Sequence, residues 1–218
     1  MAKLESTFKN MVLSLVLISM VAAGALAGVY LLTLKTISEQ QLAKQQAAIL
    51  AVLPEGAVIG EKEIVNDVTI YPAKLNGEPC GAAVETVENG FGGPQKIMVG
   101  FLTDGTIKDY IVLEHQETPG LGDHIVEWFK NAAKPGQNIV GRQATGRFVV
   151  SKDGGDVDAI TAATISSRAF LNAVNKAYVA FREIEGIEVD AHTGASQLIL
   201  EEEVVEDPIL EETEVVYE

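Results

Sequence analysis

Cysteine is nearly absent from this 218-residue chain. Cys80 is the only one, so the chain forms no internal disulfide and holds no cysteine-ligated iron–sulfur cluster by itself. Its expected place is that of a small buried residue. Histidine is almost as scarce. His115, His124 and His192 are the whole set, and none stands at metal-ligand spacing from a partner. Any redox group the chain carries is then organic. Basic residues are few as well: 16 Lys and Arg against 31 Asp and Glu give a formal net charge of −15. A chain so acidic is not built to neutralise phosphates along a strand, which excludes nucleic acid as a partner. Nine of the acids fall in the last 18 residues, with no basic residue among them. That segment, within residues 188–218, reads as a solvated, disordered tail, with a docking strip for a basic surface as the other reading.

Charge of either sign is missing from Met11 to Leu34, a run of 24 residues. A helix of that length reaches about 36 Å, enough to cross a hydrocarbon core of about 30 Å with some tilt. A cleaved signal peptide is the rival, because Ala25-Leu26-Ala27 has the small residues of a cleavage site. The apolar run continues through Val29, Tyr30, Leu31, Leu32 and Leu34, however, which favours an uncleaved anchor. Lys3 and Lys9 before the span favour a cytoplasmic N-terminus, placing the rest outside the cytoplasmic membrane. The span has no Asp, Glu, Lys, Arg or His, so an ion path does not run through it.

Residues 36–53 lack glycine and proline, and Leu42, Ile49, Leu50 and Leu53 form a partial apolar stripe. This reads as a stalk helix stopped by Pro54-Glu55-Gly56. Strands are expected at 67–71, 81–87, 96–102, 106–113 and 146–151, with Asp104-Gly105 turning a hairpin between the third and fourth. Two helices are expected at 123–133 and 165–184. The first puts Ile125, Val126 and Phe129 inward; the second does so with Ala169, Ala173, Ala177 and Phe181, beside Val174 and Tyr178. The fold class is α+β: one N-terminal transmembrane helix, then a mixed, mainly antiparallel extracytoplasmic domain. The boundaries are a leader at 1–10, the span at 11–34, the stalk at 35–56, the domain at 57–187 and the tail at 188–218.

Small residues and hydroxyls crowd the start of the last helix, in Asp158-Ala159-Ile160-Thr161-Ala162-Ala163-Thr164-Ile165-Ser166-Ser167. A helix start carries unpaired N–H groups and partial positive charge, which together suit a phosphate. Taken alone, the segment is also an ordinary capping region. Upstream lies Glu114-His115-Gln116-Glu117-Thr118-Pro119-Gly120-Leu121-Gly122, where Pro119-Gly120 forces a turn and two glycines permit close approach. Gly90-Phe91-Gly92-Gly93 offers an aromatic in a glycine turn, with no lysine at the spacing of a triphosphate loop.

These two longer stretches resemble the FMN-binding domain family, the first matching its flavinylation motif and the second its His-x-Glu-Thr-Pro-Gly-Leu-Gly element. The arrangement over residues 1–187 is similar to the G subunits of Rnf, the ion-translocating ferredoxin:NAD oxidoreductase. The C subunits of sodium-pumping NADH:quinone reductases share the domain and are the alternative; a membrane-tethered scaffold without cofactor is a third reading. The resemblance implies covalent FMN through a phosphoester to Thr164. It also implies contacts from Thr161, Ala162, Ala163, Ser166, Ser167, Glu117, Thr118, Gly120, Leu121 and Gly122, with Glu117 and His115 tuning the ring. Ala162 stands where the family's glycine is usual. A flavin transferase with FAD as donor, other Rnf membrane subunits and membrane lipid are the implied partners. No independent catalysis is expected of the chain.

Overall fold

The computed structural model describes residues 7–145 and 147–184, so the expected tail at 188–218 lies outside the described residues. The chain divides into two compact units, Met1–Ala51 and Val52–Glu218.

The first unit is helical. One unbroken helix, α1, runs Phe8–Val52, and among the described residues it alone is long and apolar enough to cross a membrane. Its apolar residues from Met11 to Leu34 are exposed on every side, so no face is set aside for a core. Two hydroxyls of this stretch turn back on the helix. Ser14 Oγ donates to the Asn10 carbonyl at 2.7 Å, and Thr33 Oγ1 to the Val29 carbonyl at 2.9 Å. Such bonds satisfy polar groups where the surroundings offer none. The helix stops at Val52, two residues before Pro54, whose ring disfavours helical geometry in the residue before it.

The second unit is a six-stranded antiparallel sheet with one long helix against it. The strands are β1 (Val58–Ile59), β2 (Glu63–Val65), β3 (Val68–Leu75), β4 (Glu78–Asn89), β5 (Pro94–Leu102) and β6 (Ile107–Glu114). The order is β1-β3-β4-β5-β6, with β2 also pairing with β3. Two hairpins turn on two residues each: Asn66-Asp67, both at positive φ, and Asn76-Gly77, likewise. That geometry matches the right-handed twist of the flanking strands. At the β5–β6 hairpin only Gly105 has positive φ, and Asp104 does not. The turn closes by Gly105 N–H donating to the Leu102 carbonyl, and Asp104 accepts from the Thr106 N–H at 2.8 Å.

Helix α2 (Thr164–Ile184) packs on β3, β4 and β5. Ala169, Ala173, Val174, Ala177, Tyr178 and Phe181 are buried, as their spacing requires. The core is aromatic at its centre. Phe129 stacks on Phe170 with centroids 4.6 Å apart, Tyr110 meets Phe170 edge-on at 4.8 Å, and Phe101 stacks on Phe181 at 5.3 Å. Burial pushes the Tyr110 phenol far above its ordinary pKa, and its hydroxyl donates to the Ile125 carbonyl at 2.9 Å.

Three expectations need correction. The helix at 123–133 is two short 3-10 turns, Gly122–Val126 and Trp128–Lys130, broken at Glu127. Ile125 and Phe129 are buried as expected, but Val126 faces solvent. Side-chain donors hold this region from outside: Tyr110 bonds within the first turn, and Trp128 Nε1 reaches the Asp158 carbonyl at 2.8 Å. The strand expected at 146–151 does not form among the described residues 147–151. The Asn175 side chain of α2 bonds both the N–H and the carbonyl of Phe148, at 2.8 and 2.9 Å, taking the place of a neighbouring strand. Cys80 is half-buried.

Candidate functional site

A cleft of about 290 Å³ opens at the head of α2, lined by Phe91, Glu117, Thr118, Leu121, Gly122, Ala162, Ala163, Thr164, Ile165 and Ser166. Three segments far apart in sequence meet there: the Gly90–Gly93 turn, the loop after β6, and the helix start.

Glu117 ties the three together. It is 5 % exposed. One carboxylate oxygen accepts from the Phe91 N–H at 3.0 Å and from Gln95 Nε2 at 2.7 Å; the other accepts from Ser166 Oγ at 2.6 Å. A buried charge is tolerated when so satisfied. Glycine makes room for it. A Cβ on Gly90 would stand 1.9 Å from Glu117 Oε1, and one on Gly122 would stand 2.5 Å from Oε2 and 2.8 Å from Ser166 Oγ. The need for glycine at 122 is therefore the packing of this carboxylate. Gly120, at φ +76, has nothing near its would-be Cβ and lies outside the cleft lining. Its role in the turn is conformational. His115 Nδ1 accepts the Glu117 N–H at 3.3 Å, folding back on the loop rather than lining the cleft.

The opposite wall is the motif at the head of α2. Ala162 adopts φ +63, the left-handed region where alanine is strained and glycine is not. Ser167 is fully buried; its hydroxyl donates to the Ala163 carbonyl and accepts the Ile160 N–H, both at 2.9 Å, so it fastens the turn internally. Thr161 is exposed and also outside the lining. Thr164 presents its hydroxyl outward, where Lys152 Nζ donates to Oγ1 at 2.9 Å. No acidic residue lies in the first turn of α2, and the first N–H groups of a helix have no intrahelical acceptor. Of the eleven expected contacts, Glu117, Thr118, Leu121, Gly122, Ala162, Ala163, Thr164 and Ser166 come together in the cleft; Thr161, Gly120 and Ser167 do not.

Phe91, Gln95, Lys152 and Ile165 were not among the expected contacts. Phe91 had a signal in its glycine turn; Gln95 and Lys152, which stand outside the lining and bond to Glu117 and Thr164, had none, because only the fold brings them near. Phe91 is 69 % exposed, Ile165 52 % and Leu121 42 %, an apolar rim beside a hydroxyl and an ammonium. An apolar rim, a cation and open helix N–H groups fit a flat aromatic group with a phosphate at one end.

Residues 90–179 match the FMN-binding domain family, so the cleft lies in an FMN-binding domain. The chain is 34% identical over 188 residues to the G subunit of the ion-translocating oxidoreductase complex of Vibrio atlanticus (strain LGP32), covering 76% of this chain and 86% of that one. It is 34% identical over 187 residues to the protein of the same name from Escherichia coli (strain K12), covering 78% and 89%. Among solved structures, Shewanella oneidensis NqrC gives a TM-score of 0.43 at 23% identity, over 65% of this chain and 73% of that one. The chain as a whole belongs to the family of G subunits of ion-translocating oxidoreductase complexes.

Proposed function

We propose that this chain is a membrane-anchored electron-carrier subunit of an Rnf-type complex, with FMN bonded through its phosphate to Thr164. The observation that carries this reading is the Thr164 hydroxyl, at the open head of α2 and 2.9 Å from a lysine ammonium, beside an apolar cleft. Thr164 would hold the phosphate end, and Phe91, Leu121 and Ile165 would meet the ring. Glu117, with its oxygens engaged by Phe91, Gln95 and Ser166, acts by holding the walls in register. FMN, once bound, supplies one- and two-electron transfer. A flavin transferase using FAD would install it, since a threonine hydroxyl is unreactive at its free pKa. Covalent attachment suits a domain that cannot draw on cytoplasmic FMN.

The boundaries expected from sequence stand as part of the proposal. Residues 1–10 form a cytoplasmic leader, 11–34 the span in the cytoplasmic membrane and its lipid, 35–56 the stalk, and 57–187 the extracytoplasmic flavin domain beside other complex subunits. Residues 188–218 form the acidic tail.

Protein made beside its transferase is expected to be heavier by one FMN less one water, with Thr164→Ala losing that mass and keeping its fold. Covalent flavin retained in Thr164→Ala would place the bond elsewhere, and colourless wild-type protein would favour a scaffold. A reporter active only outside the cytoplasm, fused after Leu200, is expected to be active, with residues 1–34 kept. A mature N-terminus at Gly28 would turn the anchor into a signal peptide.

A further inference from the structure

The turn that carries Lys152 is fastened to α2 one helical turn below Thr164. Residues Ser151–Asp153 form a 3-10 turn, closed by Gly154 in the left-handed region. Asp153 takes Arg168 with two bonds of 2.6 Å, to Nε and to the second guanidinium nitrogen. This pairing lowers the Asp153 pKa, and the Lys152 charge lowers it further. Arg168 is four residues after Thr164, hence on the same face of the helix. The base of the turn is equally fixed. Ser151 N–H donates to the Val157 carbonyl at 2.7 Å, and a Cβ on Gly155 would stand 2.0 Å from the Val149 carbonyl. Asp153 cancels the Arg168 charge, so the ammonium of Lys152 remains as the net charge of the group.

We infer that Lys152 is the cationic partner of the reacting oxygen, and that the Asp153–Arg168 pair is the positioning clamp that delivers it. The inference rests on the proposed attachment of FMN at Thr164. In that step the Thr164 Oγ1–phosphorus bond forms and a phosphoanhydride bond of a flavin dinucleotide breaks. A nucleoside monophosphate leaves and the hydroxyl proton passes to a base of the transferase. Negative charge builds on the non-bridging oxygens of the phosphorus that Oγ1 attacks, next to an ammonium already donating to Oγ1. In the product the same ammonium faces a diester carrying one negative charge, and the pair persists.

The test uses full-length chain and its flavin transferase with FAD, following attached mass over time. Lys152→Ala is expected to slow attachment about tenfold or more, a modest share of what an aimed donor contributes at a developing charge. Lys152→Arg is expected to restore most of the rate, and Arg168→Ala to slow it less than Lys152→Ala does. The melting temperature of the flavin-free chain should be alike in wild type and both Lys152 variants. Attachment in Lys152→Ala at the wild-type rate overturns the inference while leaving Thr164 as acceptor. A wild-type chain that gains no flavin, or gains it elsewhere, overturns the attachment reading and this inference with it.

Discussion

On one side of the cleft, Glu117 is buried and its carboxylate accepts from three groups on three segments; on the other, Ala162 is strained and Thr164 is half-buried. The first wall is over-determined. Losing the carboxylate leaves the buried Ser166 hydroxyl without its acceptor and Gln95 with only the Ser166 carbonyl, and glycines at 90 and 122 admit nothing larger. The second wall is held by Ser167 from behind and keeps Thr164 on the cleft lining, with the Lys152 ammonium donating to its hydroxyl. Rigidity is thus concentrated where a ring would lie, and chemical access where a phosphate would be joined.

The comparison breaks most readily at Glu117. Glu117→Ala is expected to destabilise the domain by about 3 kcal/mol, because the Phe91, Gln95 and Ser166 donors lose a charged acceptor in a buried place. Chemical denaturation measures this, and a loss under about 1 kcal/mol would mean that the wall is held by packing alone. A smaller effect is expected of Gly120→Val, about 2 kcal/mol, from a β-branched residue at φ +76 with open space around it. Covalent attachment should continue, read by gel fluorescence, while the flavin spectrum and potential shift with the loop. A potential and turnover equal to wild type would separate this loop from the ring. The smallest effect has the opposite sign. Ala162→Gly is expected to stabilise the domain by about 1 kcal/mol by relieving the left-handed alanine, a rise of a few degrees in melting temperature. An unchanged or lower midpoint would show the wall adapted to alanine.

Elements that depend on local periodicity were legible in the sequence. The stripe of Ala169, Ala173, Ala177 and Phe181 specified α2 and its inward face, and the charge-free run specified the exposed part of α1. Asn76-Gly77, a plain hairpin signal that was not among the expectations, turns the chain between β3 and β4. What depended on distant partners was not legible. Ile125 and Phe129 stand four apart as in a helix, yet Tyr110 and Trp128 bonds draw the segment into two tighter turns. In the site, Glu117 and Thr164 were marked by their motifs. Gln95 and Lys152 come from a strand and a turn with no motif of their own.

Asn175 bonds both main-chain groups of Phe148, and this has a consequence for hydrogen exchange. The Phe148 amide is shielded by a side chain rather than by a neighbouring strand, so it opens only when that side chain leaves. Asn175 sits at the middle of α2, 2 % exposed, in the part of a helix that frays last. Phe148 therefore belongs to the same cooperative opening unit as the helix, although it lies in what has the look of a loop. The Phe148 amide should exchange on the timescale of global unfolding, and deuterium uptake there would report the integrity of α2.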